Sequence, residues 1–150
     1  MKARDLNPGT IGYNAAMAAC SLDFDIAIGL HGEMKALNVI SDEITYNTLI
    51  YTCKSSQKWR EALNLLEEME SAEIIPTIFT FTPLMQTLVS ADRLDEAFNL
   101  LSRIQQSSSL VKNSYVIHHM LFNACKRLEV TFFFYKIFTM ENYQNNTLPR

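Results

Sequence analysis

Thr45-Tyr46-Asn47-Thr48-Leu49-Ile50, then Glu61-Ala62-Leu63-Asn64-Leu65-Leu66-Glu67-Glu68-Met69, then Pro76: this passage recurs along the chain, and its recurrence decides the fold. Thirty-five residues on it meets Thr80-Phe81-Thr82-Pro83-Leu84-Met85, then Glu96-Ala97-Phe98-Asn99-Leu100-Leu101, closing at Ile104. Toward the N-terminus Asn47 falls on Asn14 at a spacing of 33, while Ala62 falls on Ala27 and Met69 on Met34 at 35. The two missing residues are placed between the halves, in a shorter loop around Ser21-Leu22-Asp23. A weaker copy starts near Tyr115 once two residues are inserted in Ser107-Ser108-Ser109, because Cys53-Lys54 then meets Cys125-Lys126. A fixed period of this size signals a stacked solenoid whose units bury their apolar faces against their neighbours. The expected organisation is an N-terminal flank over 1–9, repeats over 10–42, 43–77 and 78–114, a degenerate fourth repeat over 115–141 and a polar tail over 142–150.

Within each copy the spacing is helical. Tyr46, Leu49, Ile50 and Cys53 fall at i, i+3, i+4 and i+7, a stripe wide enough to be a buried face. Its equivalents are Tyr13, Ala16, Met17 and Cys20, then Phe81, Leu84, Met85 and Leu88, then His118, Leu121, Phe122 and Cys125. A second stripe follows in each: Ala27, Leu30 and Met34; Ala62, Leu65, Leu66 and Met69; Ala97, Leu100, Leu101 and Ile104; more loosely Phe134, Ile137 and Phe138. The small Ala that opens three of these lets two helices approach closely. Each copy therefore reads as a helix-turn-helix hairpin, and the chain as all-α. Pro76 and Pro83 bracket the start of the third copy, where first-turn amides have no helical partner and Pro is tolerated.

Composition excludes more than it specifies. The 150 residues are 48% hydrophobic, enough for a packed core, and four Gly with four Pro are few for a turn-rich β design. A net charge of −3 predicts no polyanionic partner by itself, so any nucleic-acid binding must be local. Cys20, Cys53 and Cys125 make an odd set without C-x-x-C spacing, which argues against a disulfide framework and a structural zinc site and for small buried residues. No signal peptide precedes Asn7-Pro8, and the apolar stretch Thr131 to Met140 is too short to span a bilayer. A soluble intracellular protein is expected; if the chain is a fragment of a longer one, a targeting peptide belongs to the remainder of that longer chain.

The signature T-Y-N-T-L-I, E-A-L-N-L-L-E-E-M and I-I-P-T resembles the pentatricopeptide repeat, closely over Glu43–Thr77, well over Thr10–Asp42 and fairly over Ile78–Ser114. The tetratricopeptide repeat, with its Trp and Leu-Gly pair in the first helix, fits less well: the single Trp, Trp59, begins a second helix. The resemblance implies a right-handed α-solenoid, with first helices lining one surface and second helices the other. It also implies sequence-biased binding of single-stranded RNA in a mitochondrion or plastid, one base per repeat, in RNA processing, stability or translation.

Opposite the buried stripe, Asn14, Ala18 and Ser21 share one face, as do Asn47, Tyr51 and Lys54, then Thr82, Gln86 and Val89, then His119, Asn123 and Lys126. Short amides or hydroxyls at the head of these sets can donate to and accept from a base edge. By resemblance the base-reading pairs are Asn14 with Asp42, Asn47 with Thr77, and Thr82 with Ser114 or Asn113. The residues that pack flat on a base are Ile11, Ile44, Phe79 and Val116. Asn with Asp resembles the uridine-preferring pair, and Asn with Thr leans toward pyrimidines. Lys54, Lys126 and Arg127 are candidates for phosphate contacts. Each has a plainer account too: Asn at a helix start caps free amides, the stacking residues are ordinary core, and the lysines belong to a solvated face.

Nothing in the sequence calls for catalysis or a cofactor. His118 and His119 are adjacent, so on a helix they point about 100° apart and do not chelate one ion from one face. Gly29 and Gly32 stand alone without a phosphate-cradling loop. Glu61, Glu67, Glu68 and Glu70 read as a solvent-facing outer surface. The alternative to RNA binding is a structural or protein-interaction subunit of an organellar ribosome or other assembly, in which Phe132-Phe133-Phe134-Tyr135 is covered by a partner or a further repeat.

Overall fold

The computed structural model describes residues 9–106, and these form helices only: α1 (Gly9–Ala19), α2 (Phe24–Ala36), α3 (Glu43–Ser55), α4 (Trp59–Ser71), α5 (Ile78–Ser90) and α6 (Leu94–Gln106). The end of the expected third repeat, with Asn113 and Ser114, and the expected fourth repeat and polar tail, with Val116, Lys126 and Arg127, lie outside the described residues. Consecutive helices pair as α1·α2, α3·α4 and α5·α6. First helices stack on first helices, α1 on α3 and α3 on α5, while α2 packs on α3 and α4 on α5. This is a solenoid of hairpins.

Both stripes become core. Tyr46, Leu49, Ile50 and Cys53 are buried, as are Phe81, Leu84, Met85 and Leu88 one repeat on. Ala27, Ala62 and Ala97 have no exposed surface, and Met34 and Met69 are equally enclosed at the closing end of their helices. Burying a Leu- or Met-sized side chain is worth about 1.5–3 kcal/mol, so each hairpin contributes most of its stability only once its neighbour is in place. In the first hairpin the stripe is less complete: Ala16 and Cys20 are half-buried rather than enclosed.

Helix ends explain why the period holds. Asp42 caps α3, accepting the Thr45 amide at 2.9 Å while its own amide donates to the Thr45 hydroxyl at 3.1 Å. Thr77 and Thr80 repeat the second of these bonds at the start of α5, also at 3.1 Å. Asp23 caps α2 through the Asp25 and Ile26 amides. Four helices close on a residue with positive φ: Asn38, Gln57, Glu73 and Asp92. In each the following amide reaches back to a carbonyl five residues earlier, Val39 to Met34, Lys58 to Cys53, Ile74 to Met69 and Arg93 to Leu88. That is the Schellman closure, here without glycine.

Two expectations need correcting. The residues missing from the first repeat shorten helix α1 rather than the loop: α1 ends at Ala19, and its link to α2 spans 20–23, against 56–58 between α3 and α4. The tight turn Cys20 to Asp23 replaces the Schellman closure there, and Cys20 leaves the buried stripe as a result. Pro83 is not in a first turn. It is the sixth residue of α5 and buried, so the Phe79 carbonyl loses its usual donor four residues on.

The outer surface is likewise more than solvated charge. Lys35 pairs with Glu68, and Glu70 with Arg103 at 2.9 Å. These pairs occupy the same station between successive second helices, with the charges exchanged. Both are partly exposed, so each is worth under about 1 kcal/mol, and their main effect is on which repeat sits next to which. At the edge near the helix turns, Lys58 lies 5.0 Å from the Phe24 ring centre and Arg93 4.4 Å from that of Trp59, a stacked cation repeated from one hairpin to the next. Lys58 also lies 3.8 Å from Asp25.

Candidate nucleic-acid interface

The first helices leave a groove of about 760 Å³ between them, lined from α3 by Glu43, Ile44, Asn47, Thr48 and Tyr51, and from α5 by Ile78, Phe79, Thr82 and Pro83. Ala18 and Ser21 close its near end. Ile11, Ile44 and Phe79 occupy matching places at the starts of α1, α3 and α5. They are 86%, 60% and 73% exposed, so the reading of these three as ordinary core is wrong. A row of large apolar side chains held in water is the uncommon arrangement, and Ile44 and Phe79 of this row line the groove.

Beside these apolar groups lie the amides, and the structure ties them into networks that cross from one repeat to the next. Asn14 is 7% exposed; its amide donates to Asp42 Oδ1 at 2.9 Å and its carbonyl accepts from the buried Thr45 hydroxyl at 2.7 Å. Neither Asn14 nor Asn47 caps its own helix, because both lie inside one. It is Asp42 that caps. Burial works against the Asp42 charge, but the Thr45 amide, the Asn14 side chain, the Thr45 hydroxyl and the Ile44 amide outweigh it and hold its carboxyl below the usual range. Asp42 is therefore an anion at neutral pH, held by groups of two helices, Asn14 of α1 and Ile44 and Thr45 of α3.

The second station is built differently. Asn47 accepts from Thr80 at 2.6 Å, as Asn14 does from Thr45, but its amide donates to Glu43 Oε1 at 3.3 Å rather than to the residue that closes its repeat. Thr77, the closing residue, turns its hydroxyl to the same Glu43 oxygen at 2.9 Å. Asn47 and Thr77 are thus joined through Glu43. Thr82 is half-buried in the groove wall, and its closing partner lies outside the described residues. Lys54 is half-buried at the end of α3, with Nζ 5.7 Å from the ring centre of Tyr51, which is itself half exposed and lines the groove.

Sequence reasoning missed Glu43, Thr45 and Thr80. The two threonines had a signal, since both stand immediately before the aromatic that opens a stripe. Their role needed a partner from the preceding repeat to become visible. It also missed His31, which is 2% exposed between Ser41 at 3.2 Å, Glu68 at 3.9 Å and the Tyr46 ring at 5.6 Å. Burial, assisted by Lys35 and opposed by Glu68, lowers the His31 pKa below its ordinary value. Burial and the Glu68 carboxylate push Tyr46 up to about 12. Glu68 itself is desolvated, yet Lys35 and Tyr46 donate to it and hold it below the usual carboxylate range. This is a structural polar cluster under α3, on the side away from the groove.

Burial pushes the Cys53 thiol up to about 12, so it stays protonated and inert. No group of His, Cys, Asp and Glu able to hold a metal occurs among the described residues, and no helix there is long and apolar enough to cross a membrane.

Comparison with known proteins bears on the same segment. Residues 42–90 match the model of the PPR repeat family, and residues 79–109 match that of the PPR repeat. Among solved structures, the crystal structure of the pentatricopeptide repeat protein PPR10 from maize superposes with a TM-score of 0.77 at 23% identity. The match covers 95% of this chain and 21% of that one, so this chain spans about a fifth of its length. At that identity the likeness speaks to the fold. No curated protein matches in sequence.

Proposed function

Because this chain belongs to the pentatricopeptide repeat family, a family of generally non-catalytic, organellar RNA-binding proteins, we propose that it binds single-stranded RNA along the groove of α1, α3 and α5 with a bias for sequence, in RNA processing, stability or translation within a mitochondrion or plastid. The observation that carries this reading is the row Ile11, Ile44 and Phe79, exposed at one place per repeat beside a hydrogen-bonding side chain. An apolar surface of this kind accepts the face of a base, and the neighbouring Asn or Thr meets its edge. Stacking contributes on the order of 1–3 kcal/mol per base. Three repeats then hold about as many nucleotides, and binding serves by occupying a site: it excludes nucleases or competing RNA structure without bond-making chemistry.

In this reading Asn14 with Asp42 prefers uridine, Asn47 with Thr77 reads the next base, Thr82 with Ser114 or Asn113 the third, and Lys54, Lys126 and Arg127 attend to phosphates. Fluorescence anisotropy with labelled oligouridine, oligocytidine and oligoadenosine tests it. Oligouridine should bind best, and the double variant Asn14→Ala, Asp42→Ala should lose that preference. Equal binding of all strands by the unaltered chain, or none, would overturn base reading.

A further inference from the structure

The two Asn stations differ in where their carboxylate comes from. At the first, Asn14 donates to Asp42, the residue that closes the repeat, at 2.9 Å. At the second the closing residue is Thr77, which has no charge to offer. Glu43 stands in the gap: its Oε1 takes the Asn47 amide at 3.3 Å and the Thr77 hydroxyl at 2.9 Å, while its Oε2 takes no hydrogen bond among the described residues. Glu43 lines the groove beside Ile44 and Phe79. Asp42 and Glu43 are neighbours in sequence, yet they serve successive stations on either side of the same helix start.

Glu43 is peculiar to this repeat. The equivalent residue of the first repeat is Thr10, whose hydroxyl donates to the Ile40 carbonyl at 2.9 Å, and that of the third is Ile78. Neither reaches its own reader. A carboxylate therefore enters by this route only where the closing residue lacks one.

We infer that Glu43 is a specificity-determining residue of the second station, supplying the carboxylate that Thr77 does not, so that both Asn stations prefer the same kind of base. The inference rests on the RNA-binding reading above. An amide N–H next to a carboxylate oxygen offers a donor beside an acceptor. That pair is met by an edge with a carbonyl oxygen beside an N–H, as in uracil O4 and N3–H. Thr77 contributes by holding Glu43, so Asn47, Glu43 and Thr77 act as one unit.

The test measures binding of short oligouridine and oligocytidine to the 150-residue chain and to its Glu43→Ala and Glu43→Gln variants. A charge-assisted hydrogen bond lost from a base edge lowers the uridine-to-cytidine affinity ratio roughly tenfold. That is the expected result for Glu43→Ala. Glu43→Gln preserves the length and shape of the side chain and its place at the helix start, and it too should lower the ratio. A structural role alone would lower affinity for both strands together and leave the ratio in place, and that outcome overturns the inference while RNA binding stands. If the unaltered chain binds neither strand, the RNA reading and this inference fall together.

Discussion

Thr45→Val is the most informative single change. Valine keeps the shape of threonine and the site is fully buried, so the substitution removes a hydroxyl and little else. Three contacts go with it: the hydroxyl's donation to Asn14 at 2.7 Å, shared with Asp42 Oδ1 at 2.9 Å, and its acceptance of the Asp42 amide at 3.1 Å. Asn14 is 7% exposed, so its carbonyl is left without a donor where water reaches poorly, at a cost of about 1–3 kcal/mol. The Asp42 amide is only half-buried and finds water more readily, so its loss adds about 0.5–1.5 kcal/mol. The sum is about 1.5–4.5 kcal/mol, concentrated on the contact between α1 and α3. In a solenoid whose stability is a sum of nearest-neighbour terms, the first hairpin should then open before the rest.

Urea unfolding followed by helical circular dichroism gives the total, and hydrogen exchange of α1 amides locates it. A double-mutant cycle with Asn14→Ala supplies the control, since the orphaned carbonyl no longer exists in that background and the cost of Thr45→Val should shrink by about 1–2 kcal/mol. A loss under about 0.5 kcal/mol, or single costs that add in full, would refute the claim that this network joins the two repeats.

Phe79→Ala should separate binding from folding: the ring is 73% exposed, so the urea midpoint should barely move, whereas RNA affinity should fall by on the order of 1–3 kcal/mol in the anisotropy assay. A large loss of stability with unchanged RNA affinity would reverse the assignment. The buried His31 predicts a pH dependence. Its pKa is lowered in the folded chain, so below about pH 6.5 the unfolded chain binds more protons and stability falls as pH falls toward the folded value. Thermal melts between neutral and mildly acidic pH should show that slope, and His31→Gln should flatten it; an unchanged slope would place its origin elsewhere.

How much of this was readable in advance follows from the range of each interaction. The spacing that places Tyr46, Leu49, Ile50 and Cys53 on one side is local, so the buried stripes, the helix type and the hairpin order were legible from residue positions. The row Ile11, Ile44 and Phe79 was legible as a recurring position, but its exposure depended on how closely successive first helices stack. Four helix ends use Asn38, Gln57, Glu73 and Asp92 in the left-handed conformation where glycine is the common residue, which hid them from a reading based on residue type. The shortening of α1 was misplaced for the same reason, since a deletion at a fixed period says how many residues are gone and not which element gives them up.

The sequence by itself determined the repeat, its two apolar faces and the stations where an amide or hydroxyl recurs, because these follow from helical periodicity within one unit. Only the tertiary structure decided what those amides do. Asn14 reaches Asp42 across 28 residues and Asn47 reaches Thr80 across 33. Thr77 meets Glu43 across 34, and it is this contact that brings a carboxylate to the second station. Hydrogen bonds of a few ångströms between successive turns of a solenoid depend on the stacking of whole hairpins, a quantity no single repeat contains.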